Sequence, residues 1–226
     1  MQQTMTEKAA PGRTIAEPKP VPKPFALSPG KRHVLHVGCG PKRVDKLHQA
    51  FRGSDWVEVR LDVDRRVAPD IVGSMVDLHP WIADATYDAV WSSHNIEHLD
   101  SHEVPKALAE FVRILKPSGF ALITCPDLGE IASQIVNGRI DEELYVSPGG
   151  PVTALDVVFG FGRSIQAGNK YMRHNTGFTD NRLGRLLIEA GFSEVRVTKG
   201  RQFDLWALAM MREFRLEDQR GLGVLF

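Results

Sequence analysis

Two glycines and an acid form the stretch of sequence with the clearest chemical meaning. Gly38 and Gly40 follow the apolar run Val34–Val37, and Asp62 ends the next run of strand character. Glycine permits the positive φ angles of a tight turn and lets a ligand approach the backbone closely. An acid about 20 residues past such a turn is placed to hold the hydroxyls of a ribose. The alternative is a tight turn between a strand and a helix that binds no ligand.

The residues after the turn indicate which kind of ribose-containing ligand it could bind. A dinucleotide site has a third glycine three residues after the second, but Arg43 stands at that place. The Gly-Lys-Ser/Thr sequence of a phosphate-binding loop is absent from this turn as well. The turn therefore favours an adenosine ligand without a phosphate chain. An oxidoreductase that uses NAD on a similar sheet is the alternative enzyme.

A second pattern with chemical meaning is His94-Asn95-Ile96-Glu97-His98, which has the His-x-x-Glu-His spacing of an inverted zinc-peptidase helix. Two histidines four apart on one helix face can bind a single metal. However, His94 directly follows a strand-like run, and no downstream segment stands out as the source of a third ligand. We therefore predict no metal site. His174 is a further histidine that either faces a substrate or caps a loop.

The elements that must position these residues alternate between strand and helix character, as in an α/β domain. The predicted strands are His33–Val37, Val57–Leu61, Ile71–Val72, Tyr87–Ser92, Phe120–Thr124, Glu194–Thr198 and Asp204–Met211. Helices are predicted at Val44–Phe51, Glu103–Leu115 and Asn181–Ala190. Ser118-Gly119 and Gly191 are predicted to end the second and third of these helices.

The order of segments predicts a tail followed by one domain. Residues 1–30 contain six of the 14 prolines, so they favour an extended, solvated conformation and are predicted to be a disordered tail. Recognition of this tail by a proline-binding module is the alternative. Residues 31–226 form the predicted domain. Its glycine- and proline-containing stretch at about 127–177 is too long for an ordinary connection and is predicted to be an irregular insertion with a function.

Composition excludes several classes of partner. The 226 residues contain 28 basic and 28 acidic side chains, so nucleic acid and anionic membranes are not expected as main partners. No apolar run approaches the roughly 20 residues of a membrane helix. Cys39 and Cys125 are too few for a disulfide framework, and we read both as packing residues, with a nucleophilic Cys125 as the alternative. With no apolar signal segment, the expected location is the reducing cytoplasm.

Taken in order, these motifs resemble the class I S-adenosylmethionine-dependent methyltransferases, especially the small type 11 kind, from about Arg32 to Arg212. The matching stretches are Val34–Gly40, Leu61–Asp64, Tyr87–Ser93, His94–Leu99, Leu115–Gly119 and Ala190–Phe192. The resemblance implies a doubly wound, seven-stranded, mostly parallel, Rossmann-like sheet whose last strand is antiparallel, with helices on both faces.

The sequence departs from that family at three positions. Relatives usually carry an acid where His36 stands and a glycine where Lys42 stands. Ser74 replaces an acid that usually meets the adenine amine, and Asp77 is the nearest substitute. Because the acid is lost at His36, a non-catalytic S-adenosylmethionine-binding module that acts with a partner is the alternative function.

The resemblance implies S-adenosylmethionine as cofactor and methyl transfer to an unidentified small or medium acceptor. Gly38–Gly40 would approach the cofactor through the backbone, Asp62 would bind the ribose, and Met75-Val76 would lie against the adenine. The full set of predicted cofactor-binding residues is Gly38, Cys39, Gly40, Asp62, Val63, Met75, Val76 and Ser92.

The acceptor side of the predicted site is assigned to two histidines and the insertion. Where the acceptor must lose a proton, His94 is the first candidate for a catalytic base and His174 the second. The insertion is expected to form the acceptor site, because ligands of open α/β sheets bind beyond the carboxyl ends of the strands. Its polar groups would be Tyr145, Tyr171, Arg173 and His174. The alternative is an insertion that packs the domain or joins two subunits.

Overall fold

The computed structural model describes residues 27–218 and Leu222, and its centre is a seven-stranded β-sheet. Nine strands are present among the described residues: β1 (Arg32–Val37), β2 (Trp56–Asp62), β3 (Ile71–Val72), β4 (Tyr87–Ser93), β5 (Leu115–Pro126), β6 (Glu143–Ser147), β7 (Gly150–Thr153), β8 (Glu194–Lys199) and β9 (Asp204–Met210). Each predicted strand is present with bounds shifted by a few residues. The predicted tail lies outside the described residues except for 27–30.

The strand order of the large sheet is β3-β2-β1-β4-β5-β9-β8. The pairs among β1 to β5 are all parallel, whereas β9 lies between β5 and β8 and runs antiparallel to both. This confirms the predicted doubly wound, mostly parallel sheet with an antiparallel last strand. Consecutive parallel strands place their carboxyl ends at one edge, which is where such sheets bind ligands.

The helices among the described residues are α1 (Val104–Ile114), α2 (Leu128–Val136), α3 (Ala154–Phe159), α4 (Gly162–Gln166) and α5 (Asp180–Ala190). The apolar residues of α1 and α5 are buried in one core with alternate residues of the sheet. Gly191 ends α5 in the left-handed conformation with φ 114°, as predicted. None of these helices is long and apolar enough to cross a membrane.

The opposite face of the sheet carries an aromatic core. The Phe51 ring packs there against Trp91 and Phe120, at centroid distances of 6.4 and 5.9 Å. Phe214 and Leu222 belong to the same core. Successive residues of β1, β4, β5 and β9 alternate between this core and the one under α1 and α5. The alternation is the period of two that a sheet covered on both faces requires.

Two local predictions about helices are wrong. The stretch predicted as the helix Val44–Phe51 forms two 3₁₀ turns, Val44–Lys46 and Gln49–Phe51, separated by extended backbone at His48. Its apolar residues Leu47 and Phe51 instead join the aromatic core. Helix α1 ends at Ile114, before Ser118-Gly119, because Leu115 is extended and already pairs with β4. Residues 116–119 bulge out of that pairing.

The segment after β5 is more regular than its composition suggests. It contains α2, the hairpin β6–β7, α3 and α4, with a small apolar core of Ile131, Val152, Ala154 and Val157. Asp127 and Phe178 form a parallel β-bridge, so the two ends of the segment meet beside the sheet. Residues 128–177, called the inserted segment below, therefore leave and re-enter the domain at one place.

Candidate active site

A cleft of about 860 Å³ lies at the carboxyl edge of the sheet. One wall is formed by the turns that follow β1, β2, β3 and β4, and the other by the inserted segment. Its volume falls in the range of small-molecule and cofactor sites, roughly 300–1,000 Å³.

The turn after β1 is shaped by a residue from the turn after β4. Gly38 has φ 57°, and a Cβ atom at this position would collide with the side chain of Asn95. Asn95 Nδ2 donates hydrogen bonds to the carbonyls of Val37 (2.8 Å) and Ser93 (2.9 Å). Asn95 therefore joins two strand ends, and Gly38 is required by that packing as well as by any ligand.

Asp62 lies at the tip of β2, as predicted, and organises the same turn. Its Oδ2 accepts a hydrogen bond from Gly40 N at 2.8 Å, and its Oδ1 accepts one from Asp64 N at 2.8 Å. A carboxylate has about four lone-pair sites, so both oxygens can still accept bonds from ligand hydroxyls. Asp64 has a different role, since its carboxylate caps Arg66 N and pairs with the Arg66 guanidinium at 2.8 Å.

A buried arginine supports this wall of the cleft. The Arg60 guanidinium donates to the carbonyls of Gly40, Val67 and Ala68, and so ties the glycine turn to the loop after β2. Sequence reasoning missed Arg60 and Asn95. Arg60 could have been noticed as a basic residue between the apolar residues Val59 and Leu61, two positions before Asp62. Nothing in the sequence distinguishes Asn95.

The predicted cofactor residues divide into two groups. Gly38, Gly40, Asp62, Val63 and Met75 line the cleft, whereas Cys39, Val76 and Ser92 do not. Cys39 is 1% exposed, and burial raises the pKa of its thiol to about 11, so this cysteine is a protonated packing residue. Burial likewise raises the pKa of Cys125. Asp77 is exposed and does not line the cleft, while Ser74 does.

His94 follows the last residue of β4 and has a left-handed backbone, φ 52°. Such a conformation in a residue other than glycine is strained and is often found at functional sites. The side chain is 47% exposed, and its Nδ1 lies 3.4 Å from Glu97 Oε1. Burial lowers the pKa of His94 and the Glu97 carboxylate raises it, with a net rise.

The position of the family's acid is filled by His36. His36 is buried in β1, and its Nδ1 contacts Glu58 Oε1 on the neighbouring strand at 2.5 Å. The ring therefore pairs within the sheet and does not line the cleft.

The inserted segment closes the cleft from above with aromatic and polar side chains. Tyr145 stacks on Phe203, which precedes β9, with ring centroids 6.4 Å apart, and Tyr171 and Phe161 of the inserted segment also line the cleft. Arg173 and His174 complete the four polar residues expected on the acceptor side. The backbone of Gly160 approaches Met172 so closely that a Cβ would collide with its carbonyl. Glycine there allows the segment to fold back over the cleft.

His174 comes from the end of the inserted segment and meets the turn after β4. Its Nδ1 lies 2.8 Å from the Val157 carbonyl, and its ring centroid lies 4.9 Å from that of His98. Burial lowers the pKa of His174. The structure thus places His94, Glu97, His98 and His174 along one side of the cleft, a grouping that the sequence did not reveal.

The residues present fit an adenosine-containing ligand. The glycine turn exposes backbone to the cleft, Asp62 retains free lone pairs beside it, and half-buried Met75 offers an apolar surface. The same cleft is also lined by His94 and by residues of the inserted segment.

Comparison with known proteins agrees with this geometry. Residues 35–123 match the model of a methyltransferase domain family. A S-adenosylmethionine-dependent methyltransferase from Archaeoglobus fulgidus is 14% identical, with a TM-score of 0.51 over 80% of this chain and 86% of that one. Another from Methanosarcina mazei is 16% identical, with a TM-score of 0.53 over 84% and 100%. A protein from Pyrococcus horikoshii is 17% identical, with a TM-score of 0.54 over 80% and 82%. No curated protein matches the chain.

The sheet order is that of the class I S-adenosylmethionine-dependent methyltransferase fold, and together with the family match over residues 35–123 it confirms the resemblance drawn from the sequence. S-adenosylmethionine is the cofactor of this class. The matched residues run from β1 to β5. The inserted segment and the hairpin β8–β9 lie outside the match, so the match identifies the cofactor half and leaves the acceptor open.

Proposed function

We propose that the protein transfers a methyl group from S-adenosylmethionine to a small or medium acceptor molecule. One observation supports this above the others: a single cleft joins the Gly38–Gly40 turn and Asp62 to the aromatic and polar residues of the inserted segment. A cofactor and an acceptor held at these two ends would meet beside His94.

In this proposal the wall formed by the turns after the parallel strands binds the cofactor. The backbone at Gly38 and Gly40 approaches the cofactor, Asp62 accepts hydrogen bonds from the ribose hydroxyls, and Val63 and Met75 contact the ribose and adenine. The bound cofactor supplies a methyl group on a sulfonium, which is already activated. The protein therefore has mainly to align the acceptor and exclude water.

Where the acceptor is a hydroxyl or an ammonium group, a base has to take up a proton. His94 is the first candidate, because it directly follows β4 at the carboxyl edge of the sheet and its half-exposed ring lines the cleft. His174 is the second, and it approaches from the acceptor side. The proposed acceptor is a small molecule, and the two buried free cysteines fit a reducing cytoplasm.

Ligand binding tests the proposal first. Calorimetry with S-adenosylmethionine, S-adenosylhomocysteine and NAD should give tight binding of the first two and much weaker binding of NAD. Tighter binding of NAD would favour the oxidoreductase alternative.

Turnover is tested separately. Incubation with S-adenosylmethionine and small-molecule extracts should produce S-adenosylhomocysteine in excess over the protein. Binding without such turnover across extracts would favour the non-catalytic binding module.

A further inference from the structure

A cluster of three side chains on the acceptor side of the cleft has the composition of a metal site. Glu97 and His98 belong to the short turn Ile96–His98 after β4, and His174 belongs to the end of the inserted segment. One ligand atom of each lies within 4.8 Å of those of the other two. All three residues line the cleft.

The Glu97 carboxylate is buried without a hydrogen-bond donor. Its side chain is 1% exposed, and neither oxygen accepts a hydrogen bond from any residue that the structure describes. The nearest charged contact is His94 Nδ1 at 3.4 Å, longer than the roughly 2.7–2.9 Å of a charge-assisted hydrogen bond. A buried carboxylate is costly unless it is paired or coordinates a cation. Both carboxylate oxygens are therefore available to bind a cation.

The two imidazoles are oriented by backbone carbonyls. His98 Nδ1 lies 2.9 Å from the Arg173 carbonyl, and His174 Nδ1 lies 2.8 Å from the Val157 carbonyl. A carbonyl oxygen only accepts hydrogen bonds, so the proton of each neutral ring is on Nδ1 and the lone pair is on Nε2. Histidines that bind metals typically donate their other ring N–H to a backbone carbonyl or a carboxylate in this way.

The backbone holds the three residues together before any ion binds. Asn175 N and Thr176 N donate to the Glu97 carbonyl at 2.8 and 3.1 Å. Asn175 Nδ2 donates to the His98 carbonyl at 2.9 Å. These bonds fix the end of the inserted segment to the turn after β4. The three side chains are therefore already close together in the folded protein, and an ion does not have to bring them together.

We propose that Glu97, His98 and His174 bind a divalent transition-metal ion of the zinc type. Two imidazole nitrogens and one carboxylate form a ligand set that suits Zn²⁺ and related ions, whereas Mg²⁺ and Ca²⁺ prefer oxygen ligands throughout. Because all three residues line the cleft, an acceptor with an oxygen donor atom would have access to an ion bound there. His174 then serves as a ligand, which leaves His94 as the candidate base.

A second cluster provides the control. Asp77, His79 and Glu110 also lie within ligand distance of one another, but Asp77 and His79 are exposed. The Glu110 carboxylate is already paired with Arg113 at 2.7 and 2.8 Å and accepts a bond from Leu78 N at 2.6 Å. A carboxylate with these partners has few free lone pairs with which to bind a cation.

The test is a zinc titration of the tag-free, full-length protein after removal of metals with a chelator. Calorimetry should show one Zn²⁺ per chain, and Glu97→Gln, His98→Ala and His174→Ala should each weaken binding by about 100-fold or more. The control His79→Ala should bind as the wild type does. Circular dichroism and thermal unfolding establish that each variant is folded, and Glu97→Gln keeps the shape of the side chain.

Cobalt gives an independent readout, since bound Co²⁺ has ligand-field absorption that reports nitrogen and oxygen ligands. These bands should appear with the wild type and His79→Ala and be lost in the three ligand variants. Absence of stoichiometric zinc, or unchanged binding in folded ligand variants, would overturn the site. Neither readout requires methyl transfer, so failure here leaves the proposed function standing, and failure to bind S-adenosylmethionine leaves the zinc result intact.

Discussion

At the scale of single residues, two neighbouring acids have different partners. Asp62 turns its carboxylate to the backbone of Gly40 and Asp64 and lies at the tip of β2. Asp64 pairs with Arg66 on the protein surface. Both line the cleft, but among the residues that the structure describes no cationic side chain pairs with the Asp62 carboxylate.

Substitution of these acids separates their roles. Asp62→Asn should weaken the binding of S-adenosylhomocysteine by about 10- to 150-fold, which corresponds to about 1.5–3 kcal/mol for a hydrogen bond to a charged group. Asp64→Asn should change binding much less. Calorimetry measures both constants, and equal losses would place the ribose elsewhere.

At the scale of elements, the ion pair between Glu110 and Arg113 lies within α1 and also bonds to the loop before β4. Leu78 N donates to Glu110 Oε2 at 2.6 Å, and the Arg113 guanidinium donates to the Ile82 carbonyl at 2.9 Å. Burial raises the pKa of Glu110, and the bonds from Arg113 and Leu78 N lower it, with a net direction below the ordinary 4.5. A depressed carboxyl pKa stabilises the fold above the ordinary pKa, and that contribution is lost as the pH falls through the folded value.

Glu110→Gln should therefore lower the free energy of unfolding at pH 7 by about 1.5–3 kcal/mol. The difference from the wild type should shrink as the pH is lowered from about 4.5, because the wild-type carboxyl becomes neutral as well. Denaturant unfolding at several pH values measures this. The control is Glu189→Gln, which removes an exposed pair with Arg185 and should cost about 0.3–0.5 kcal/mol. A gap between Glu110→Gln and wild type that stays constant down to pH 3 would contradict the argument.

The inserted segment is the element on which acceptor binding depends in our proposal. Tyr171 lines the cleft and is 56% exposed, so it contributes little to the core. Tyr171→Ala should leave cofactor binding and the melting temperature nearly unchanged and lower methyl transfer by about 100-fold, since a misaligned acceptor reacts slowly.

The matched control for that variant is Val146→Ala, which alters an exposed apolar residue of the same segment that does not line the cleft. It should retain full activity. Retained activity in Tyr171→Ala, or loss of subunit association instead of activity, would show that the segment packs or joins subunits.

At the scale of the whole molecule, a ligand that binds only the folded state raises its stability. S-adenosylhomocysteine at 100 times its dissociation constant should add about 2.7 kcal/mol. For a domain of this size, that corresponds to a rise in melting temperature of about 5–10 °C. NAD at the same concentration should give a much smaller rise. An equal rise with NAD would argue against an adenosylmethionine site.

The sequence by itself determined the sheet and one wall of the cleft. Alternating strand and helix patterns are local, and a Gly-x-Gly turn followed by an acid has few structural solutions, so β1, β2 and the place of Asp62 could be predicted. The mostly parallel sheet with an antiparallel last strand followed from the resemblance to the methyltransferases. The helix predicted at Val44–Phe51 failed because the aromatic core on the far face of the sheet, a tertiary feature, takes up Leu47 and Phe51.

Only the tertiary structure decided which side chains come together on the acceptor side of the cleft. His174 is far from Glu97 and His98 along the chain, and no periodicity connects them. They meet because the inserted segment folds on its own small core and returns to hydrogen-bond with the Glu97 carbonyl. Such contacts depend on the packing of distant elements, and for that reason the third ligand of the proposed metal site could not be found in the sequence.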